Sequence, residues 1–565
     1  MDKQQKSPGE KISFKQKLDR YFKISERGST FKTEVIAGLT TFFAMAYIVV
    51  TNPNQITSFS RAGELNTIWL SVYVASILVA VIGTLLYAFY AKMPFAQACG
   101  MGLNSFFFVS FILPALGGNE MKGYKEGLAI ILLSGILFMI LSFTGARTYI
   151  AKALPENIKK AVSAGIGLFI AFLGLQNTKF IQYNKYTLVQ LFDFHGIIDG
   201  AKYSIGELQG NIGDGAYLMY DSQFGISSVV GARDAAAKAL EDATKAGEVA
   251  KIPELTAALS KAQEAFDSLM AYEITGLDAW RLIAPIVITL VGLCVMGILA
   301  KKKINGAVIY TIIGSTVLYY LSTWQLPSFK LGEIGESFVA FGREGLFGAF
   351  EGFGTLFQAD AGNGYSVFAA ILSAVMLVIT FTLVDMFDTI GTLYGAASQA
   401  NMLDENGDPI NMAKSMNADS IATVSGAALG TSTCTTFVES SAGVGVGGRT
   451  GFASLITAAC FFVCLFLTPI ATMIPACATA PALIYIGVLM LKNFAKVDMD
   501  DLSSAIPAFL TLIMMPLTYS ISNGIAVGSI SYVLIRLFTG KFSKKDIVVT
   551  VIAVLFALRF VFITM

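Results

Sequence analysis

The stretch Gly430-Thr-Ser-Thr-Cys-Thr-Thr-Phe-Val-Glu-Ser-Ser-Ala-Gly443, running on to Gly448 and Arg449, decides the fold. It lies between apolar spans, yet glycine and small hydroxyl residues at this density weaken a helix. Non-helical backbone inside a membrane is tolerated only where it lines a cavity or is buried in protein. A second interrupted segment, Ala98-Cys-Gly-Met-Gly-Leu-Asn-Ser-Phe-Phe107, stands in the corresponding part of the first half. Paired broken helices point to a binding site near the bilayer midplane, between inverted repeats. A fainter echo supports the repeat: Leu154-Pro through Leu175 and Ile474-Pro through Leu491 both set a proline before a small-residue apolar helix.

Composition agrees. Of 565 residues, 55% are apolar and only 14% charged, against about 25% charged in ordinary globular domains. The chain reads as an all-α polytopic membrane protein. Stretches long enough to cross about 30 Å of hydrocarbon fall near 33–51, 68–90, 95–113, 127–144, 160–177, 280–299, 304–322, 367–394, 415–429, 432–447, 451–470, 477–492, 505–521 and 523–538, which makes fourteen, with spans 3 and 10 broken. A further apolar stretch, Ile547 to Thr564, reads either as another span or as a helix lying in the interface.

Short loops rich in Lys and Arg stay on the cytoplasmic side. The tail carries Lys3, Lys6, Lys11, Lys15, Lys17, Arg20, Lys23, Arg27 and Lys32. With it inside, Arg147, Lys152, Lys159 and Lys160, then Lys301, Lys302 and Lys303, also fall inside, so three clusters agree on one topology. The expected organisation is a basic cytoplasmic tail (1–32), spans 1–5 (33–177), an extracytoplasmic acidic insert (178–279) and spans 6–7 (280–322). An extracytoplasmic connection (323–366), spans 8–14 (367–538) and a C-terminal segment (539–565) follow. Between Asp193 and Asp278 the insert holds 14 acidic residues against 6 Lys and Arg. Its Ala-rich half, Arg233 to Tyr272, predicts two helices in a solvated hairpin, broken at Gly247 and Pro253. The tail has no signal-peptide pattern and is expected to stay on the mature protein.

Several function classes drop out. A net charge of +1, with no basic tract beyond the tail, argues against nucleic-acid binding. The single histidine, His195, leaves no His-ligated metal site, Ser/His/Asp triad or imidazole switch. Six cysteines without a CxxC pair indicate neither a disulfide framework nor zinc. No metal, cofactor or enzymatic activity is expected, and the partners are a small solute and the lipid bilayer.

Charged residues inside apolar sequence carry the chemistry. Asp385 and Asp388 lie in FTLVDMFDTIGTLY (381–394), and Glu439 in the second broken segment. A carboxylate at a helix centre costs about 2.5–3.5 kcal/mol on insertion scales, which makes each a functional candidate. Asp385 and Asp388 share a helical face, and Thr389 and Thr392, four residues beyond each, add hydroxyls to the same wall. Asn104 and Ser105 stand in the first broken segment, Ser432 and Thr435 in the second. The competing reading is that an Asp, or Asn104, caps a helix end; Arg449 reads as a helix end at the cytoplasmic interface. A cavity of Asp, Glu, Asn, Ser and Thr suits a planar heterocycle offering several N–H donors, its acceptors met by half-helix N-termini. A carboxyl group in low dielectric can also take a proton on one side and release it on the other.

These motifs resemble one family, the AzgA-like purine permeases of the nucleobase:cation symporter superfamily. The resemblance lies in EVIAGLTTFFAMAYI (34–48) with Asn52-Pro53, GMGLNSFF (100–107), FDTIGTLYG (387–395), GTSTCTTFVESSAGVGVGGRTG (430–451), ATAPALIYIGVLML (478–491) and IPAFLTLIMMPLTYSISNGIAVG (506–528). It implies a seven-plus-seven inverted repeat with core and gate domains, and elevator-like import of adenine, guanine or hypoxanthine with a coupling cation. It implies that Asn104, Asp388 with help from Asp385, and Glu439 face the substrate. Ser105 and Thr392 are expected to line the same site, with Asp385, Thr389, Ser432 and Thr435 around it in coupling or supporting roles. It also implies a multi-pass protein of the cell's inner membrane and leaves a homodimer open. Uracil-transporting relatives carry Glu where Asp388 stands and His where Thr392 stands, which argues against a pyrimidine substrate and a histidine relay. Proton and sodium coupling both fit the carboxylates. An anion exchanger on the same fold would place a cation beside the broken helices, and the sequence shows none there.

Overall fold

The computed structural model describes the chain apart from residues 1–12, 146–154, 185–187, 247–250, 303, 305, 357–366, 400–401, 406–408, 438, 493 and 563–565. Lys3, Lys6, Lys11, Arg147, Lys152 and Lys303 therefore lie outside the described residues. The first half of the membrane body runs α1 (Phe31–Met45), α2 (Ile48–Ile56), α3 (Glu64–Leu86), β1 (Gln97–Cys99), α4 (Met101–Phe107), α5 (Glu120–Thr144), α6 (Glu156–Asn177), α7 (Gly276–Lys301) and α8 (Ala307–Thr323). The second half runs α9 (Val367–Gln399), α10 (Met412–Leu429), β2 (Cys434–Thr436), α11 (Ser440–Gly445), α12 (Gly451–Cys464), α13 (Ala476–Leu491), α14 (Leu502–Leu517), α15 (Ile521–Phe538) and α16 (Ile547–Phe562). Among the described residues, 8 helices are long and apolar enough to cross a membrane, and shorter apolar helices accompany them.

Two helix groups pack side by side. In one, α6 lies against α13 and α14, α14 against α15, and α7 and α8 against α13. In the other, α1 packs on α12, α12 on α3, and α10 on both α3 and α5. Small residues set the closest approaches, as expected where packing rather than water drives helix association. A Cβ on Gly167 of α6 would stand 2.8 Å from the Gly487 carbonyl of α13, and one on Gly487 would stand 2.4 Å from the Gly167 carbonyl. Neither position has room for a side chain.

Three regions differ from simple expectation. The first span breaks into α1 and α2 around Ala46 and Tyr47, and α2 carries Pro53 inside it. The connection 323–366 is not a bare loop, because Gly332–Ala340 and Gly348–Leu356 are helices packed on α3 and α5. Hydropathy misses them because they are short, and the second docks through glycine: a Cβ on Gly352 would meet the Lys125 carbonyl at 2.0 Å. Lys125 bridges Glu344 at 2.8 Å and Glu351 at 2.7 Å beside this contact. The basic tail also contains a folded part, with Phe14–Phe22 helical and Phe22 against Phe452 of α12.

The insert has its own small core of Ile197, Ile205, Leu208, Tyr220 and Ile274, which continues onto Ile283 and Ile286 of α7. Its Ala-rich helices, Ile226–Lys245 and Ile252–Met270, pack on each other. The final helix, α16, lies along α15 and α9. Val549, Ile552, Ala553 and Phe556 are buried on one face, while Val548, Val551, Val554 and Leu558 are exposed on the other. Both faces are apolar, which suits a helix packed on protein on one side and facing hydrocarbon on the other.

Candidate functional site

The two interrupted segments meet. Strands β1 and β2 pair antiparallel, with Gln97 opposite Thr436, Ala98 opposite Thr435 and Cys99 opposite Cys434. Backbone bonds from Gly100 N to Thr433 O (3.0 Å) and from Phe437 N to Ala96 O (3.1 Å) extend the ribbon at both ends. This satisfies the backbone groups that a broken helix leaves exposed in a membrane. The crossing is close at Gly100, where a Cβ would stand 3.3 Å from the Thr435 methyl.

Around this ribbon the predicted residues fall into three places. Asn104, on α4, accepts from the Ser432 hydroxyl and donates to Gln55 Oε1 of α2 at 3.3 Å. Its amide therefore ties α2, α4 and the approach to β2 together, with Ser105 buried beside it. Thr389 of α9 stands 2.8 Å from the Thr435 hydroxyl and also donates to Asp419 of α10. Asp385 Oδ2 accepts from Thr423 at 2.8 Å, while its Oδ1 has no hydrogen-bond partner among the described residues. Glu439, just past β2, accepts from the Tyr47 hydroxyl at 2.8 Å through Oε1.

Asp388 is half-buried on α9 and lies within Coulombic reach of Glu439. Asp385, Asp388 and Asp419 likewise sense one another's charge. Thr392 stands apart, because its hydroxyl turns back onto the carbonyls of Asp388 and Thr389, each at 3.0 Å. Arg449 is also turned away, donating to the Val444 and Gly448 carbonyls at the end of α11. No ion pair reaches Asp385, Asp388, Asp419 or Glu439 among the described residues, and the groups that donate to Asp385, Asp419 and Glu439 are hydroxyl, amide and phenol groups. Such a wall accepts N–H donors and cations and repels anions. A surface cavity of about 600 Å³ lies elsewhere, between the insert and α7, lined by Phe224, Leu269, Tyr272, Asp278 and Arg281.

Sequence reasoning passed over four of these groups. Asp419 is fully buried and accepts from Gln97 Nε2 at 2.6 Å as well as from Thr389. It lies inside the expected span 415–429, so the rule that singled out Asp385 applied equally to it. Glu34, also fully buried, accepts from Arg449 N, Thr450 N, the Thr450 hydroxyl and Ala453 N, and so fixes the start of α12 against α1. Gln55 and Tyr47 carry no charge and gave no signal.

A model described as the permease family matches residues 32–198 and 224–527. The putative permease MJ0326 of Methanocaldococcus jannaschii is 33% identical over 549 residues, covering 97% of this chain and 99% of its own. The guanine/hypoxanthine permease PbuG of Bacillus subtilis is 31% identical, covering 97% of this chain and 100% of its own, and the adenine permease AdeP of Escherichia coli is 30% identical, covering 97% and 96%. Among solved structures, the transmembrane domain of a cyanobacterial bicarbonate transporter, BicA, superposes with a TM-score of 0.51 at 13% identity, over 87% of this chain and 97% of that one. SLC26A9 gives 0.51 at 11% identity, over 93% and 69%. These two likenesses show the fold of the seven-plus-seven membrane transporters. With both halves of its membrane body matched by one family model, this chain is an integral membrane protein of the permease family.

Proposed function

We propose that this permease imports purine nucleobases, guanine, hypoxanthine or adenine, together with a cation. The observation that carries this reading is the convergence of Asp388 on α9 and Glu439 at the start of α11, elements that pack on each other and are tied through Thr389 and Thr435 at 2.8 Å, with no basic partner to either carboxyl group among the described residues. Purines present N–H donors in a plane, and carboxylates flanked by hydroxyls accept them. Relatives named for guanine, hypoxanthine and adenine, aligned over nearly the whole chain, support the same substrate class.

The proton is the coupling ion in this reading, because a carboxyl group in low dielectric exchanges a proton between two states with no other chemistry required. The helices that carry β1, β2, Asp388 and Glu439 would move as one body against α6, α13 and α14, an elevator-like exchange of access with the N-terminus in the cytoplasm of the inner membrane. Sodium is the second reading, favoured by Asp385 Oδ1, a buried carboxylate oxygen with no hydrogen-bond partner among the described residues and Asp419 within Coulombic reach. The test is uptake of radiolabelled hypoxanthine, guanine, adenine and uracil in cells lacking their own permeases, with a protonophore and with choline replacing sodium. Saturable purine uptake that collapses with the protonophore and ignores sodium is the expected result. No uptake of any base would overturn it.

A further inference from the structure

Tyr47 sits where α1 gives way to α2 and is 2% exposed. The break is held by Thr51, whose N–H and hydroxyl both donate to the Tyr47 carbonyl, at 3.0 and 3.1 Å. From this fixed point the phenol donates to Glu439 Oε1 at 2.8 Å. A buried tyrosine hydroxyl needs a partner, and this one uses a carboxylate of the candidate site. The other titratable groups facing Glu439 are Asp388 on α9 and Tyr485 on α13. Nearby charges on the packed elements are already committed: Glu34 of α1 to the start of α12, and Arg449 to the end of α11.

We propose that Tyr47 is a positioning residue for Glu439: by occupying Oε1 it fixes the carboxylate's orientation and leaves Oε2 to take either a substrate N–H or a proton. When ionised, Oε2 accepts from a ligand's N–H edge. When protonated, the same atom becomes a donor and meets a purine's ring-nitrogen or carbonyl acceptor instead. Proton and purine are then held together at one atom, and a hydroxyl from the first span sets which atom it is. The substrate half of this inference rests on the purine reading above, whereas the coupling of Tyr47 to Glu439 does not.

The test uses the purified full chain in lipid nanodiscs. Infrared titration follows the C=O band of protonated carboxyl groups without ligand, with the Glu439 band assigned by its loss in Glu439→Gln. In Tyr47→Phe that band should be displaced in pH midpoint by half a unit or more, because a hydrogen bond to the ionised form is removed. In transport, the same variant should raise KM for hypoxanthine about tenfold or more with Vmax retained, the loss expected for one hydrogen bond to a charged group. If Tyr47→Phe fails to insert, 3-fluorotyrosine installed at position 47 gives the same readout through a more acidic donor. An unmoved carboxyl band overturns the proposal whatever transport does. A displaced band in a protein that binds no purine supports the coupling and removes the purine reading instead.

Discussion

The hydroxyls of Thr389 and Thr435 stand 2.8 Å apart and tie the middle of α9 to the strand that opens the second interrupted segment. Thr389 also donates to Asp419, which is held from the other side by Gln97 of β1. One buried threonine thus joins α9, α10 and the ribbon. Thr389→Val keeps the shape and removes the hydroxyl, leaving Asp419 with one donor fewer. The expected cost is about 1–3 kcal/mol, read as a fall in thermal stability of the purified protein, together with a loss of transport. Unchanged stability would mean that the Asp419 network does not hold the site.

Glu439→Gln should abolish uptake while leaving insertion intact, since the amide keeps the volume but cannot cycle a proton. Surface labelling and uptake measured together separate the two effects. Normal transport by this variant would remove Glu439 from the mechanism.

If Asp388 meets the substrate, Asp388→Asn should re-rank competition among hypoxanthine, guanine and adenine. An amide presents a donor where the carboxylate offered only acceptors, so analogues differing in one N–H should change by about tenfold, the effect of one good hydrogen bond to a charged group. An unchanged competition profile would leave Asp388 a structural role only.

How much of this was legible in the sequence follows from range and charge. Asp385, Asp388 and Glu439 stand out because a charge inside apolar sequence has a cost that burial alone does not explain. Asp419 gives the same signal but is set among Ser, Asn and Thr, which makes the span look polar and hides it. The ribbon pairs residues 97–99 with 434–436, a contact across most of the chain, so the glycine-rich sequence marks the breaks but not the register. Tyr47 meets Glu439 across 392 residues and looks like any aromatic in a membrane span. The helices at 332–340 and 348–356 read as a connection because they are short and bury small residues, Ser337 and Ala340 in the first and Gly348, Ala349 and Gly352 in the second, which carry little hydropathy signal.

Removing residues 231–268 and rejoining Val230 to Leu269 through a short Gly/Ser linker should leave uptake nearly unchanged. No described residue of the deleted hairpin belongs to the buried cluster around Tyr220 and Ile274, and its Arg233 stacks on its own Phe266 at 4.0 Å. Loss of transport with normal surface expression would make the hairpin part of the transport path.

The last helix is secured at its start by Asp546, which accepts from Ser543 N at 2.8 Å and Tyr532 at 3.0 Å and pairs with Arg536 at 3.2 Å. Burial works against the ionised form, but these hydrogen bonds and the guanidinium outweigh it and hold the carboxyl below its ordinary range. A lowered folded value means that the stabilisation is present above the unfolded pKa, about 3.9, and is lost as pH falls through the folded one. Asp546→Ala should cost about 1 kcal/mol, as loss of a helix cap does, and should flatten the acid limb of a thermal-stability profile. An acid limb identical to that of the parent protein would assign it to other carboxylates.

The central claim is that a half-buried carboxylate pair, Asp388 and Glu439, couples purine entry to proton entry. Proteoliposomes loaded with a pH-sensitive dye test it most directly: hypoxanthine added outside, without sodium, should acidify the lumen in the parent protein and leave it unchanged in Glu439→Gln. Hypoxanthine uptake without a proton signal, or uptake that requires sodium, would contradict it.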